Sequence, residues 1–299
     1  MVQRETDNAV TESQAVAAGF KAGTLTPQEF QQIAQLAHER YGLNIKEGKE
    51  ELVAGRLLNI IRRLGFSSFN VYYKHVLSEK SGEAITEMID ALTTNHTGFL
   101  RERAHFDILQ QLAKTASGPT LRVWSAACST GEEPYTITLS LLDAWKDLRS
   151  APTLQLLATD ISTRALRIAQ RGVYPLDRAR VFPEEWHSRY LLRGTGEWAE
   201  WVRMKPEVTR LVEFRRLNLV DPFSHPHPFH VIFCRNVMMY FDKNTQEGLV
   251  NRLADCLEPG GHLFVGHSES LTAIKHPLEY LSPAAYRKPG KSSVFGGLT

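Results

Sequence analysis

Residues 122–135 read RVWSAACSTGEEPY. An apolar run, Leu121–Ser125, reads as a strand; Ala126-Ala127-Cys128-Ser129-Thr130-Gly131 makes a turn of small residues, and a helix opens on Glu132 and Glu133. Strand, tight turn and helix is the layout of a nucleotide loop in an open α/β sheet, where ligands sit beyond the carboxyl ends of the strands. Small side chains let the backbone approach a ligand, as glycines do in a dinucleotide loop. Yet GxGxxG and GxxxxGK(S/T) are both absent, and the turn offers no lysine to a phosphate. A helix N-terminus favours an anion. Here the two glutamates already supply that charge, so a pyrophosphate would meet repulsion. A ligand with a cationic or hydroxyl-rich portion fits better. Standing alone, the glutamates are equally explained as complements of the helix dipole.

Two further strand ends converge on the same reading. Asp160 closes the run LLATDIS, and an acid at the end of a second strand is where α/β folds bind ribose hydroxyls. Its competing role is to cap the next helix, but Ser162 is the better-placed cap. A third buried run ends in FCRNVMMYFD, which brings Arg235 and Asn236 to the same edge. Together these point to an adenosine-bearing ligand without phosphates, and S-adenosylmethionine, with its ribose, ammonium and sulfonium, fits.

The surrounding chain supports an α/β class. Strand-like runs at 121–125, 154–158, 229–234 and 262–266 alternate with helical patterns at 132–146, 162–170 and 243–257, which predicts a mostly parallel sheet with helices on both faces. Residues 173–215 break the rhythm with Pro175, Pro183, Gly194, Gly196 and Pro206. Two strand-like runs there, EWVRM and RLVEFRR, predict an inserted subdomain with a small antiparallel element. Residues 1–22 are polar and aperiodic and read as a mobile tail. From 23 to 93 the pattern is helical: Thr26-Pro27-Gln28-Glu29 signals a helix start, 49–64 forms a second helix closed by Gly65, and 68–78 and 83–92 form shorter ones. Residues 94–299 then make the larger domain.

Composition sets outer limits. The 299 residues suffice for one or two domains, and a formal net charge of +2 gives no general reason to bind nucleic acid. Three cysteines, Cys128, Cys234 and Cys256, form no CxxC pair and suggest a reducing compartment. With no apolar run long enough for a bilayer and no signal-peptide core, the cytoplasm is the expected location, without membrane insertion.

Six stretches occur in one family's order: TTNHTGFLRE (93–102), WSAACSTGEEPYT (124–136), ATDIS (158–162), LVEFRRLNL (211–219), FCRNVMMYFD (233–242) and GGHLFVGHSESL (260–271). On these the chain resembles the CheR family of chemotaxis-receptor glutamate methyltransferases, over about residues 24–288. The resemblance implies a class I, Rossmann-like methyltransferase sheet with an N-terminal all-helical domain and an inserted β-subdomain. It implies methyl transfer from S-adenosylmethionine to glutamates on the cytoplasmic helical hairpin of chemotaxis receptors, leaving glutamyl methyl esters and S-adenosylhomocysteine. A monomer is expected.

Carried over by position, the resemblance puts Asn95, Thr97 and Arg101 along the cofactor site, Glu132 or Glu133 at the methionine end, and Asp160 on the ribose. Asn218 and Leu219 would flank the adenine, and Arg235, Asn236 and Tyr240 would close the reacting centre. His96, Gly98 and Cys128 depart from the usual pattern without removing a polar group assigned to the site. Methyl transfer is an in-line displacement that needs alignment and desolvation more than a strong base. Arg101 and Tyr240 are therefore the expected orienting groups, with Arg235 nearby as a third catalytic candidate; the competing role of Arg101 is a salt bridge to Glu102 or Asp107. Arg56, Arg62 and Arg63 on the second helix give a basic face for acidic receptor helices, although most such faces are simply solvated.

Some family members also bind a receptor's C-terminal tail peptide on the β-subdomain; here Glu200 replaces a usual glycine, which speaks against it. His225, His227 and His230 lack the partners of a zinc set, Trp198 and Trp201 read as local packing, and Met238 and Met239 as core. An RNA or small-molecule methyltransferase, a non-catalytic S-adenosylmethionine sensor and a nicotinamide dehydrogenase are the competing classes. The modest charge, the presence of Arg101 and Tyr240, and the missing GxGxxG oppose them in turn.

Overall fold

The structure is a computed structural model and describes residues 24–93, 97–116, 118–148 and 151–295. Its compact units divide between Thr94 and Asn95.

The first unit is helical: α1 (Pro27–Tyr41), α2 (Glu50–Arg63), α3 (Phe69–Ser78) and α4 (Glu83–Leu92). Thr26 and Glu29 form a reciprocal capping box at the start of α1, each side chain accepting the other's backbone amide. Phe30, Ile33, Leu57, Ile61, Tyr72, Met88 and Ile89 are buried at helical spacing and make the core. Two α2 arginines serve this unit's own packing. The Arg56 guanidinium donates to the Leu92 carbonyl at the end of α4, and Arg63 pairs with Glu87. Arg62 and Arg63 remain exposed and Arg56 is half-buried, so the expected basic face also carries contacts to α4.

The second unit begins with α5 (Ala104–Lys114), a helix not foreseen from sequence. There follow β1 (Thr120–Ala126), α6 (Glu132–Ala144), β2 (Thr153–Asp160) and α7 (Thr163–Arg171). The insert comprises β3 (Val173–Pro175), α8 (Leu176–Ala179), α9 (Glu184–Tyr190), β4 (Leu191–Arg193), β5 (Trp201–Met204) and α10 (Pro206–Thr209). The chain ends through β6 (Val212–Arg216), β7 (Phe229–Cys234), α11 (Lys243–Cys256), β8 (Leu257–Val265), β9 (Glu279–Ser282) and β10 (Ala285–Arg287).

The main sheet has seven strands in the order β6-β2-β1-β7-β8-β10-β9. Neighbours from β6 to β8 pair in parallel, and β10 runs antiparallel to both β8 and β9. The strand order reverses between β1 and β7, which sets the switch point where an open α/β sheet binds its ligand. The RLVEFRR run belongs to this sheet, not to the insert: β6 pairs in parallel with β2 from Leu156↔Val212 to Asp160↔Arg216. The insert's own sheet is β3-β5-β4, antiparallel throughout. One face of the main sheet buries Leu121, Val123, Leu156, Ala158, Val231 and Phe233 in the principal core, together with Tyr135 and Leu139 of α6.

Of the residues read as packing, Met238 is buried but Met239 is half exposed. Trp198 and Trp201 meet edge-to-face at 6.2 Å yet stay largely in solvent. No helix among the described residues is long and apolar enough to cross a membrane.

Candidate functional site

The turn after β1 takes its shape from backbone that side chains resist. Ala127 has φ 66°, Ser129 φ 49° and Gly131 φ 97°, a left-handed region that costs an ordinary residue about 1–2 kcal/mol. Hydrogen bonds hold the turn there. The Cys128 amide donates to the Thr159 carbonyl (2.9 Å) and the Ser129 amide to Asp160 Oδ2 (2.7 Å). Gly131 is also sterically required, since a Cβ there would lie 2.7 Å from Ala169 Cβ on α7.

Asp160 is 7% exposed at the end of β2, and its second oxygen accepts the Ser162 amide at 2.9 Å. Both oxygens thus accept from backbone, while Ser162 caps α7 through the Ala165 amide. Each carboxylate oxygen keeps a second lone pair. Burial pushes the Asp160 pKa above the ordinary carboxylate range, with the amides of Ser162 and Ser129 opposing the shift.

Glu132 and Glu133, adjacent in sequence, go opposite ways on α6. The Glu132 side chain is wholly buried, bonded to Arg178 Nη1 at 2.7 Å and to the Thr130 hydroxyl at 2.6 Å. Glu133 keeps 12% of its side chain accessible; it accepts from the Ser125 hydroxyl (2.6 Å) and Arg235 Nη1 (2.9 Å). Burial raises the Glu133 pKa, and the Arg235 charge counters part of that rise.

Arg235 follows β7 and is 2% exposed. Besides Glu133 it donates from Nη2 to Glu102 Oε2 at 2.9 Å, from Nε to the same oxygen at 3.3 Å, and to the Arg101 carbonyl. Its fork is thus engaged by Glu133, Glu102 and the Arg101 carbonyl. Glu102 is the residue that sequence reasoning missed. It also accepts from Asn236 Nδ2 (3.4 Å) and the His267 amide (3.2 Å). Burial opposes its ionisation, but the hydrogen bonds and charge of Arg235 outweigh that and lower its pKa. Glu269 is the second missed residue: it is buried and accepts the amides of Asn236 (2.8 Å), Gly266 (2.7 Å) and Met239 (3.2 Å). It thereby ties the loop after β7 to the end of β8.

The remaining expected residues fall as follows. Thr97, Arg101 and Tyr240 are half-buried. Glu102 is engaged by Arg235, and Asp107 lies 3.8 Å from Arg103. Asn218 and Leu219 follow β6, where the Leu217 amide donates to the Asp160 carbonyl at 3.0 Å. Asn95 lies outside the described residues. Cys128 is buried, and burial pushes its thiol well above the ordinary range, which suits packing rather than nucleophilic chemistry. His230 is buried 3.4 Å from Glu258, whereas His227 is exposed, so the clustered histidines separate. Glu102, His105 and His267 offer ligand atoms within 4.8 Å of one another, but Arg235 already holds the carboxylate and its charge opposes a cation there.

A mostly parallel sheet with a glycine-poor turn at its switch point, edged by buried carboxylates, is the fold of a class I methyltransferase. The buried carboxylates of Asp160 and Glu133 offer acceptors at this edge, and the described turn places no cation for a phosphate. The comparisons with known proteins sharpen this. A family model described as "CheR methyltransferase, SAM binding domain" matches residues 95–286, and one described as "CheR methyltransferase, all-alpha domain" matches residues 28–93. The chain belongs to the CheR methyltransferase family, and it is an S-adenosylmethionine-dependent enzyme. It is 40% identical to chemotaxis protein methyltransferase 2 of Pseudomonas aeruginosa, over 87% of this chain and 93% of that protein. It is 41% identical to the chemotaxis protein methyltransferase of Salmonella typhimurium, over 84% of this chain and 86% of that protein. Among solved structures, the N-methyltransferase NodS of Bradyrhizobium japonicum, in complex with S-adenosyl-l-homocysteine, aligns at 18% identity with a TM-score of 0.31, covering 55% of this chain and 60% of that one.

Proposed function

We propose that this enzyme methylates glutamate side chains on the cytoplasmic helical hairpin of chemotaxis receptors, producing glutamyl methyl esters and S-adenosylhomocysteine. The observation that carries the reading is the match of both family models together with relatives named chemotaxis protein methyltransferases. S-adenosylmethionine supplies an electrophilic methyl group on a sulfonium sulfur. The accepting carboxylate is already ionised near neutral pH, so the protein's task is to bind, orient and exclude water.

Asp160 accepts the ribose hydroxyls with the lone pairs its amide bonds leave over. Glu133 faces the ammonium; its residual accessibility and its place beside Arg235 favour it over Glu132, whose carboxylate is sealed against Arg178. Asn218 and Leu219 flank the adenine, and Thr97 and Asn236 complete the cofactor rim. Arg101 and Tyr240 orient the receptor carboxylate. Tyr240, a neutral donor, does so without dulling the nucleophile, whereas Arg101 supplies charge. Arg235 is a positioning residue that fixes Glu133 and Glu102. On the helical unit, Arg62 and Arg63 are exposed and steer acidic receptor helices.

The test is transfer of tritiated methyl from S-adenosylmethionine to receptor cytoplasmic fragments, followed by mild base. Label that enters the receptor and leaves as methanol supports an ester. Label that is absent, or that survives base, rejects the reading.

A further inference from the structure

The helix that follows Asp160 carries a surface that the reaction does not use. α7 reads TRALRIAQR over nine residues, with three arginines and no acid. Its apolar residues Ala165, Leu166 and Ala169 are buried, while Arg164, Arg167 and Arg171 are exposed. At the helical angle per residue the three arginines fall within a sector of about 60°. None of them makes an ion pair with another described residue.

The stripe continues past the helix end. Gly172 turns the chain left-handed at φ 60°, and a Cβ there would lie 3.3 Å from Met204 Cβ and from Thr209 Cγ2. Arg203 and Arg210, the neighbours of those two contacts, are both exposed. Val173 is in register with Arg203 across β3 and β5. Across 163–171 and 201–210 the single acid is Glu207.

Five arginines in so small a region, in a chain whose formal net charge is only +2, make a local field rather than a general attraction to polyanions. Its spacing is selective. Arg164 and Arg171 are seven residues apart, a rise of about 10.5 Å, which equals two turns of a partner helix. A helix with carboxylates at positions j, j+4 and j+7 presents them along one face at the same spacing. Arginine also suits this task, because its planar fork engages carboxylate in a bidentate manner.

We infer that the exposed face of α7, extended by Arg203 and Arg210, is a docking surface for an acidic α-helix. Resting on the function proposed above, that helix belongs to the receptor's cytoplasmic hairpin. Ser162 caps α7 two residues after Asp160, so the Arg164 end of the stripe begins near the carboxyl edge of the sheet.

The experiment uses the full chain and three forms of it: wild type, Arg164→Glu/Arg167→Glu/Arg171→Glu, and the charge-keeping Arg164→Lys/Arg167→Lys/Arg171→Lys. The probes are a fluorescent alanine-based helical peptide with glutamates at j, j+4 and j+7, an isomer with the same glutamates scattered, and a single-stranded RNA of equal charge. At low salt the wild type should bind the ordered peptide at least about tenfold more tightly than the reversed form does. The lysine form should retain most of that affinity, and high salt should erase the difference. In receptor methylation the reversed form should lose about tenfold in kcat/KM with kcat unchanged. Circular dichroism and S-adenosylhomocysteine affinity should stay as in wild type, since no reversed residue is buried.

Equal binding of the ordered peptide by wild-type and reversed chains overturns the inference. So does scattered peptide or RNA binding as tightly as the ordered helix, because the surface would then be a generic polyanion site. Unchanged kcat/KM on receptors overturns the receptor assignment. If the wild type methylates no receptor while arginine-dependent peptide binding persists, the proposed function fails and the docking surface stands.

Discussion

The two units turn their chains differently. Among the described residues of the helical unit, every position with positive φ is a glycine: Gly42, Gly48, Gly65 and Gly82. In the methyltransferase unit six described residues take that conformation with side chains attached, and five of them, Leu100, Glu102, Ala127, Ser129 and Asn236, belong to segments that build the candidate site, Ala284 being the sixth. Each such residue costs on the order of 1 kcal/mol or more. The cost is met locally by hydrogen bonds. The Leu100 amide donates to the Thr136 hydroxyl (3.3 Å), that of Ser129 to Asp160 and that of Asn236 to Glu269, while the Glu102 carboxylate holds Arg235. A turn that only reverses direction can use glycine; a turn that must present particular side chains at a fixed place carries strain and is pinned.

That contrast breaks first at Glu102. Glu102→Ala leaves a nearly inaccessible Arg235 with Glu133 as its remaining carboxylate, and removing one partner of a buried pair costs about 3 kcal/mol or more. Urea unfolding should show it, and an unchanged midpoint would mean that Glu102 is not a pin. Arg101→Ala sharpens the contrast from the other side. Turnover should fall on the order of a hundredfold with the melting temperature unchanged, whereas a near-wild-type rate removes Arg101 from the orienting role.

Asp160→Asn should weaken S-adenosylhomocysteine binding by about tenfold, read by calorimetry. Its pH dependence follows from burial. Asp160 and Glu133 have raised pKa values in the folded chain. Their charged forms are the ones that accept hydroxyl and ammonium donors. Affinity is therefore complete above the raised values and is lost as pH falls through them, at higher pH than for an ordinary carboxylate. The Asn variant keeps only the Glu133 part, so its acid limb should be shallower; an unaltered limb excludes Asp160 as a titrating ligand group. The same raised pKa means that ionising Asp160 costs the fold stability above the ordinary carboxylate value; the Asn variant escapes that cost but turns an NH2 donor toward one of the two amides that Asp160 accepts, so no net gain in stability is expected.

The smallest effects test the comparison itself. Gly65→Ala puts a Cβ on a left-handed residue and should cost about 1 kcal/mol. Ala127→Gly relieves such strain but loosens the unfolded chain, so its net change should stay within about 0.5 kcal/mol. Equal losses at both positions would erase the distinction between the units.

Much of this was legible in the sequence for physical reasons. Buried parallel strands read as apolar runs, and the acid and base residues at their ends (Asp160, Arg235, Asn236) stood out because polarity begins where burial stops. β6 reads as part of the insert because a half-exposed edge strand after a proline-rich stretch looks like more of the same stretch. α5 escaped because its N-cap residue is Arg103, with no side-chain cap bond. The β9–β10 pair escaped because its strands are only four and three residues long. Glu102 and Glu269 carried no local signal: their partners are backbone amides and an arginine as far as 133 residues away. Nor does sequence tell Glu132 from Glu133, since one step around α6 decides which arginine each one meets.

Gly131 has a mechanical consequence. Because its missing side chain lets α6 abut Ala169, because the Tyr174 hydroxyl donates to the Thr130 carbonyl at 2.7 Å, and because the Tyr135 hydroxyl donates to the Ala169 carbonyl at 2.7 Å, the turn after β1 and the C-terminal half of α7 are in direct contact. A displacement of α7 must therefore break these contacts or carry the turn with it.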